Sequence, residues 1–280
     1  PEDSKTMLSL GRSEGDYFKD MRYLQIPGID VIWHQLWPGE ANNFPKLASS
    51  AAHLFGRPQA FSESFAAMRP APNIQQVKWI LNEQLVRGIN LFEIMFYPAS
   101  TGGHQGFRGF MAADSFPAVM RSLNRKAYIL SNGRAAAKIG LYFPTPGLWL
   151  GDTVANNSAW HIAQQLLNHQ RDFDFVDDQS LASLMQIENG YFINLSGQKY
   201  TAIIIPEINI ISQKILQRLK KFAQQGGRVI FMGDDNLSVK EKTFLDAKSS
   251  PDISWAVKSS TDSITPKILQ ALPKPDVQLD

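Results

Sequence analysis

The sequence predicts an α/β protein with parallel sheets, and two observations lead to this fold class. Helical and extended patterns alternate along most of the chain, and nearly every predicted strand is apolar throughout, as strands covered on both faces are. Strands that are separated by helices pair in parallel. The alternation runs in two series that meet near Arg134. We therefore predict two domains, residues 1–134 and residues 135–280.

The first series predicts three strands separated by helices. The strand segments are rich in β-branched and aromatic residues, and the helical segments space their apolar residues at helical intervals. The predicted strands lie within residues 29–37, 59–67 and 89–98. The predicted helices lie within residues 16–28, 44–57, 73–88 and 116–134. A closed barrel of eight βα units needs about 250 residues. This series is therefore either an unusual small domain or the C-terminal part of a larger barrel.

The second series predicts an open, doubly wound sheet. Its strands are short, end in Pro, Gly or Asp, and are followed by helical patterns, which is typical of such sheets. The predicted strands lie within residues 136–144, 173–178, 200–208 and 228–233. The predicted helices lie within residues 156–170 and 212–227. The turn FMGDD after the last of these strands lacks the G-x-G-x-x-G spacing of dinucleotide sites.

Composition excludes several classes of function. The formal net charge of +2 is too small to predict a nucleic-acid surface, and no window approaches the roughly 20 apolar residues of a membrane helix. The absence of cysteine excludes disulfides, thiolate catalysis and cysteine-bound zinc. The histidines show no spacing for a zinc site on one helix. The first 18 residues have neither the basic nor the apolar region of a signal peptide.

Polar and aromatic side chains follow each strand of the first series. In a parallel αβ barrel the site lies at the C-terminal ends of the strands. Carboxylates together with aromatic rings at such a rim are typical of a sugar site, where the acids move protons and the rings stack on sugars. The candidates are His34, Gln35 and Trp37 in the first strand, Glu63 between Ser62 and Ser64 in the second, and Glu93, Tyr97 and His104 in and after the third.

Structural roles are the alternative for the same residues. Burial of an unpaired ionised carboxylate destabilises a fold by roughly several kcal/mol. Acids inside a protein can also belong to structural networks that have no catalytic role. The structural assignments are Glu63 as a hydrogen-bonded buried acid, Glu93 paired with Arg87 or Arg108, His34 as a satisfied core or rim histidine, and Trp33, Trp37 and Trp79 as packing residues.

Three runs of sequence resemble the last strands of barrel-type glycoside hydrolases. They are GIDVIWHQLWPG, KLASSAAHLFGRPQAFSESFAA and NEQLVRGINLFEIMFYPAS. The second run is similar to the α-L-rhamnosidase type, where Ala-Ala-His and Gly precede a strand with a catalytic acid. It also resembles barrel-class β-galactosidases, where Ser-Glu near the end of the seventh strand supplies the nucleophile. The resemblance covers about residues 16–145 and implies the C-terminal portion of a (β/α)8 TIM barrel.

The resemblance also implies roles for the candidate residues. Glu63 is then the catalytic carboxylate, a nucleophile if configuration is retained and a general base if it is inverted. The general acid would come from an earlier strand, around the fourth, upstream of this chain. Glu93, on the neighbouring strand, is then a substrate contact. The remaining residues that would shape the sugar subsite are His34, Gln35, Trp37, Tyr97 and His104.

The second series resembles the flavodoxin-like domain that follows the barrel in many such β-galactosidases. The runs AAKIGLYFPTPGLWLGD and YTAIIIPEI carry this resemblance. Glutamine amidotransferases share the architecture, but their chemistry requires a cysteine nucleophile. A structural or oligomerisation role is therefore expected for residues 135–280.

Taken together, the sequence predicts a glycosidase that hydrolyses O-glycosidic bonds of oligo- or polysaccharides. The expected partner is a carbohydrate, and neither a nucleic acid nor an organic cofactor is expected. Calcium binding is left open, and so is homo-oligomerisation. The resemblance favours a periplasmic or extracellular location. The alternative is a non-catalytic carbohydrate-binding or assembly module in which Glu63 is structural. A nucleotide or flavin binder centred on residues 135–280 is a third hypothesis.

Overall fold

The computed structural model describes residues 15–40, 42–95, 110–233, 238–240, 247–249 and 251–275. The described chain begins with a short helix, α1 (Tyr17–Met21). Two compact units follow from the contacts between residues, and each is described by itself. The first unit contains residues 21–52 and 57–134 of the described chain, and the second contains residues 15–20, 53–56 and the described residues from 135 onward.

Within the described residues of the first unit, three parallel strands form one sheet in the order β1-β2-β3. The strands are β1 (Gly28–Val31), β2 (Phe61–Ser64) and β3 (Leu91–Ile94), and the helices that alternate with them are α2 (Pro45–Leu54), α3 (Ile74–Val86) and α4 (Phe116–Ser131). Both neighbouring pairs are parallel. The α/β class with a parallel sheet, predicted from the apolar strands, is confirmed.

The first strand is shorter than its pattern predicts. It ends at Val31, although the β-branched and aromatic run continues to Trp37. The physical reason lies at Trp33, whose φ of 52° takes the backbone out of the extended region. His34, Gln35 and Trp37 therefore lie in the loop after β1 rather than on the strand.

The two faces of this sheet differ in burial. Ile29, Val31, Ser62 and Ser64 are buried on one face, whereas the residues that alternate with them along β1 and β2 are partly exposed. The two serine hydroxyls lie 3.0 Å apart, and Gln84 of α3 donates to Ser64 Oγ at 3.2 Å. This pairing satisfies polar groups that would otherwise be costly to bury. The serines beside Glu63 thus connect the sheet to α3 through hydrogen bonds.

The second unit contains the remaining elements in chain order. They are β4 (Ile139–Tyr142), α5 (Thr145–Trp149), α6 (Thr153–Asn168), β5 (Phe173–Val176), a π-helix (Ser180–Leu184), β6 (Gln186–Glu188), β7 (Tyr191–Ile193), β8 (Lys199–Tyr200), β9 (Ala202–Ile205), β10 (Ile210–Ser212), α7 (Gln213–Gln224), β11 (Arg228–Phe231), β12 (Ser238–Lys240), β13 (Ala247–Ser249), β14 (Val257–Lys258) and α8 (Pro266–Ala271).

In the described part of this unit, five parallel strands form the main sheet, in the order β14-β11-β9-β4-β5. Numbered along the chain, they lie in the order 2-1-3-4-5 across the sheet, one of the common orders of doubly wound sheets. Two smaller three-stranded sheets, β6-β7-β8 and β10-β12-β13, are additions that the apolar pattern did not predict.

The core of the second unit is apolar and tightly packed around β4. Gly140 lies in this strand, and a Cβ there would come within 2.7 Å of Ile203 Cδ1 and 2.8 Å of Val176 Cγ2. On α7, Phe222 is fully buried and its ring centroid lies 4.7 Å from that of Phe192. Over the residues described, no helix combines the length and the hydropathy needed to cross a bilayer.

Candidate active site

The sheet of the first unit aligns three carboxylates in one row. Asp30 of β1 is the register partner of Glu63 of β2, and Glu63 is the register partner of Glu93 of β3. Register partners in parallel strands point to the same face, and neighbouring strands lie about 4.8 Å apart. Asp30, Glu63 and Glu93 are therefore neighbours on the face opposite the buried serines.

The position of Asp30 was not predicted from the sequence. The run from Ile29 to Trp37 is mostly β-branched and aromatic, so its pattern does not single out Asp30. The signal that could have found it is the matching alternation, because Asp30 and Glu63 each stand between two residues of the buried face. Aligning the two strands by that alternation places the two acids side by side.

The surroundings of Glu63 disfavour its ionised form. Burial raises the pKa of the Glu63 carboxyl, and the negative charges of Asp30 and Glu93 raise it further. Negative charges on neighbouring strands repel each other, and this repulsion is stronger where less water screens it. A carboxyl with a raised pKa exchanges protons closer to neutral pH, as a general acid or base requires.

The loop after β1 brings two of the predicted residues together. The rings of His34 and Trp37 are stacked, with centroids 4.4 Å apart and an angle of 27° between their planes. His34 Nε2 lies 3.9 Å from Glu40 Oε1, and the backbone N–H of Glu40 donates to the carbonyl of Trp37 at 2.9 Å. Both rings are partly exposed. The pair forms a mixed aromatic and polar surface beside the C-terminal end of the sheet.

Gln35 lies in the same loop but is buried, with 4% of its surface exposed. Its side-chain carbonyl oxygen accepts a hydrogen bond from the backbone N–H of Ile32 at 3.1 Å. This bond satisfies the backbone N–H group of the residue that follows β1. The role that the geometry supports for Gln35 is to hold the turn that carries His34 and Trp37.

Glu93 lies on β3 with its side chain exposed, and Arg87 is engaged elsewhere. The Arg87 guanidinium forms an ion pair with Glu83, one helical turn earlier, and its Nε donates to Asn43 Oδ1 at 3.3 Å. The predicted alternative that pairs Glu93 with Arg87 is therefore not what the structure shows. Arg108, Tyr97 and His104 lie outside the described residues.

A comparison with protein-family models decides the family. Residues 32–238 match the model of glycoside hydrolase family 106, described as alpha-L-rhamnosidase. The chain belongs to the alpha-L-rhamnosidase family. The match extends over parts of both units and includes Glu63 of β2 and Glu93 of β3, whereas Asp30 of β1 lies two residues before it. The resemblance to α-L-rhamnosidases that the sequence motifs carried is thereby confirmed.

Solved structures with a similar fold include other glycosidases. The rhamnosidase of Novosphingobium sp. PP1Y aligns over 80% of this rhamnosidase-family chain with a TM-score of 0.56 and 18% identity. The GH42 β-galactosidase Gan42B of G. stearothermophilus aligns over 78% with a TM-score of 0.53 and 15% identity. At such identities the likeness concerns the fold. A comparison with the sequences of curated proteins gives no match.

The rhamnosidase-family chain is much shorter than these proteins. It spans 22% of the Novosphingobium rhamnosidase and 34% of the β-galactosidase. No group of three or more His, Asp and Glu side chains within the described ranges is arranged to hold a metal ion.

Proposed function

We propose that this chain contributes the catalytic carboxylate of a glycosidase that hydrolyses the O-glycosidic bond of α-L-rhamnosides. The observation that carries the proposal is Glu63, central in a row of three acids on one sheet face, with its pKa raised by burial and by Asp30 and Glu93. Membership of the alpha-L-rhamnosidase family supports rhamnose as the sugar.

Glu63 acts in its ionised form in either stereochemical course. It attacks the anomeric carbon if configuration is retained, or it takes a proton from the attacking water if configuration is inverted. The raised pKa makes the carboxylate a stronger base. No organic cofactor is needed, because carboxyl groups suffice for both proton transfers.

The general acid of this mechanism comes from a strand that precedes this chain in the intact protein. Glycosidases of this kind work with two carboxyl groups on opposite sides of the scissile bond. Asp30 and Glu93 flank Glu63 on the same sheet face, so they are better placed to contact sugar hydroxyls and to set the pKa of Glu63. His34 and Trp37 line the rim next to this row.

The second unit is proposed to be a flavodoxin-like domain with a structural role. Its strand order supports this architecture, and the absence of cysteine from the sequence removes amidotransferase chemistry. A contribution to oligomerisation is part of the same proposal.

The test is Glu63→Gln in the full-length parent protein, assayed with 4-nitrophenyl α-L-rhamnopyranoside. Loss of the carboxylate should lower kcat by at least about 100-fold, with little change in affinity for the sugar. The matched control is Glu188→Gln, which changes an exposed glutamate on β6 of the second unit. The anomeric configuration of the first-formed sugar, followed by NMR, separates the nucleophile from the general base.

A second candidate function is a carbohydrate-binding or assembly module with Glu63 structural. The hydrogen-bonded serines on either side of Glu63 favour a structural role for the strand. In that case Glu63→Gln leaves sugar binding intact and lowers the melting temperature. Undiminished kcat in Glu63→Gln would exclude the catalytic role.

A further inference from the structure

The backbone leaves its favoured regions where β1 and β2 end. Trp33 has φ 52°, Phe65 has φ 80° and Ala67 has φ 52°, all in a region that residues with a Cβ rarely adopt. Glu63 lies two residues before Phe65. Strained backbone that persists is held by its surroundings and is concentrated at functional sites.

Hydrogen bonds between the two strand ends fix this conformation. The backbone N–H of Trp33 donates to the carbonyl of Ala66 at 2.9 Å, and that of Phe65 donates to the carbonyl of Val31 at 2.9 Å. Trp33 is thereby hydrogen-bonded to Ala66, which lies three residues after Glu63. The two strand ends form one connected rim.

The side chain of Trp33 gains little burial in return for this conformation. It is 41% exposed, although Val31 and Ile32 just before it are buried. Phe65 differs, because it is fully buried and its ring packs 5.2 Å from that of Phe110. Packing therefore explains an aromatic residue at position 65, but it does not explain a tryptophan at position 33, where glycine would suit the backbone better.

We propose that Trp33 is a sugar-stacking residue of the candidate active site. Its indole binds the apolar face of a pyranose ring of the glycoside while Glu63 acts at the anomeric carbon. A flat aromatic ring offers large contact area at low entropic cost, which suits a sugar ring. The stacked His34 and Trp37 in the same loop extend this surface. The inference rests on the proposed function and adds a substrate-binding residue to it.

The first test is Trp33→Gly in the full-length protein, with kinetics and thermal melting measured together. Glycine relieves the backbone strain and removes the indole. We expect KM for the aryl α-L-rhamnoside to rise about tenfold, which corresponds to about 1.4 kcal/mol of binding, while the melting temperature stays the same or rises. Trp33→Asn is a second variant, because asparagine also tolerates this backbone region.

The control is Trp149→Ala, which removes an exposed tryptophan of the second unit. It should leave KM unchanged. A direct binding measurement complements the kinetics: calorimetric titration of the aryl rhamnoside into Glu63→Gln, with and without the added Trp33→Gly change. The stacking role predicts a higher Kd in the double variant.

The opposite pattern overturns the inference. If Trp33→Gly and Trp33→Asn lower the melting temperature and leave both KM and Kd unchanged, then Trp33 is a packing residue. The two proposals fail separately, because undiminished turnover in Glu63→Gln concerns Glu63 alone, whereas unchanged KM and Kd in the Trp33 variants concern only the stacking role.

Discussion

Asp30 lies directly opposite Glu63 in the parallel pairing of β1 with β2. The two acids share one face of the sheet, and the charge of Asp30 is one of the causes of the raised pKa of Glu63, after burial. This relationship makes Asp30 a means of adjusting the proton affinity of Glu63 without touching the Glu63 side chain.

The pH profile of turnover should respond to Asp30→Asn. Removing a negative charge makes ionised Glu63 less costly, so the pKa of Glu63 falls and the acid limb of kcat/KM moves to lower pH. The pH profile of the full-length protein measures this shift. Asp114→Asn, an exposed aspartate of the first unit, is the control and should leave the limb in place. An acid limb that stays fixed in Asp30→Asn would mean that another group controls it.

Thermal stability should report the same pKa in a different way. The folded-state pKa of Glu63 is raised, so its contribution to stability is fully present below the unfolded pKa and is lost as pH rises through the folded pKa. Glu63→Gln removes the ionisable group and therefore removes this loss of stability at higher pH. We expect its melting temperature to equal or exceed that of the unsubstituted protein at neutral pH, with the gain disappearing in acid. A lower melting temperature at neutral pH would support a structural role instead.

A buried carboxylate in the second unit should be required for folding stability. Asp174 is fully buried and accepts hydrogen bonds from Gln198 Nε2 at 2.8 Å and Tyr200 Oη at 3.0 Å, and its Oδ1 lies 2.9 Å from His53 Nδ1. Removing one partner of such a pair costs about 3–5 kcal/mol. We expect Asp174→Ala to lose about that much free energy of unfolding in a urea titration. A loss within about 0.5 kcal/mol, the range of surface changes, would contradict this network.

The close packing around β4 leaves no room for a methyl group at Gly140. The nearest side-chain atoms would lie under 3 Å from an added Cβ, and they belong to Ile203 and Val176. Overpacking of this kind costs about 1–3 kcal/mol. Gly140→Ala should therefore lower the melting temperature, whereas Gly133→Ala, where the added Cβ would meet its nearest atom at 3.6 Å, should not. Equal melting temperatures would show that β4 can shift to make room.

The sequence predicted the elements that hydrophobic pattern alone determines. The parallel strands of both units and the position of Glu63 on its strand follow from apolar runs bounded by Gly and Pro. The register that joins Asp30 to Glu63 was not predictable in the same way, because it depends on how two strands pair. The backbone of Trp33 is a further example, since a tryptophan carries no signal for positive φ.

Contacts between distant residues also escaped the sequence interpretation. His53 and Asp174 are 121 positions apart, and no local pattern links them. The β6-β7-β8 sheet was missed because its strands are only two or three residues long, too short for a periodic signal. In each case a tertiary contact decides the structure, and such contacts have no signature in a single short window.

A crystal structure of the full-length Glu63→Gln protein with an uncleaved α-L-rhamnoside tests the catalytic role of Glu63 most directly. We expect the side chain at position 63 to lie beside the anomeric carbon, with a second carboxyl from an upstream strand about 5–10 Å away. The separation of the two groups then gives the stereochemical course. A rhamnoside bound away from position 63, or a site with no second carboxyl within that range, would contradict the catalytic role of Glu63.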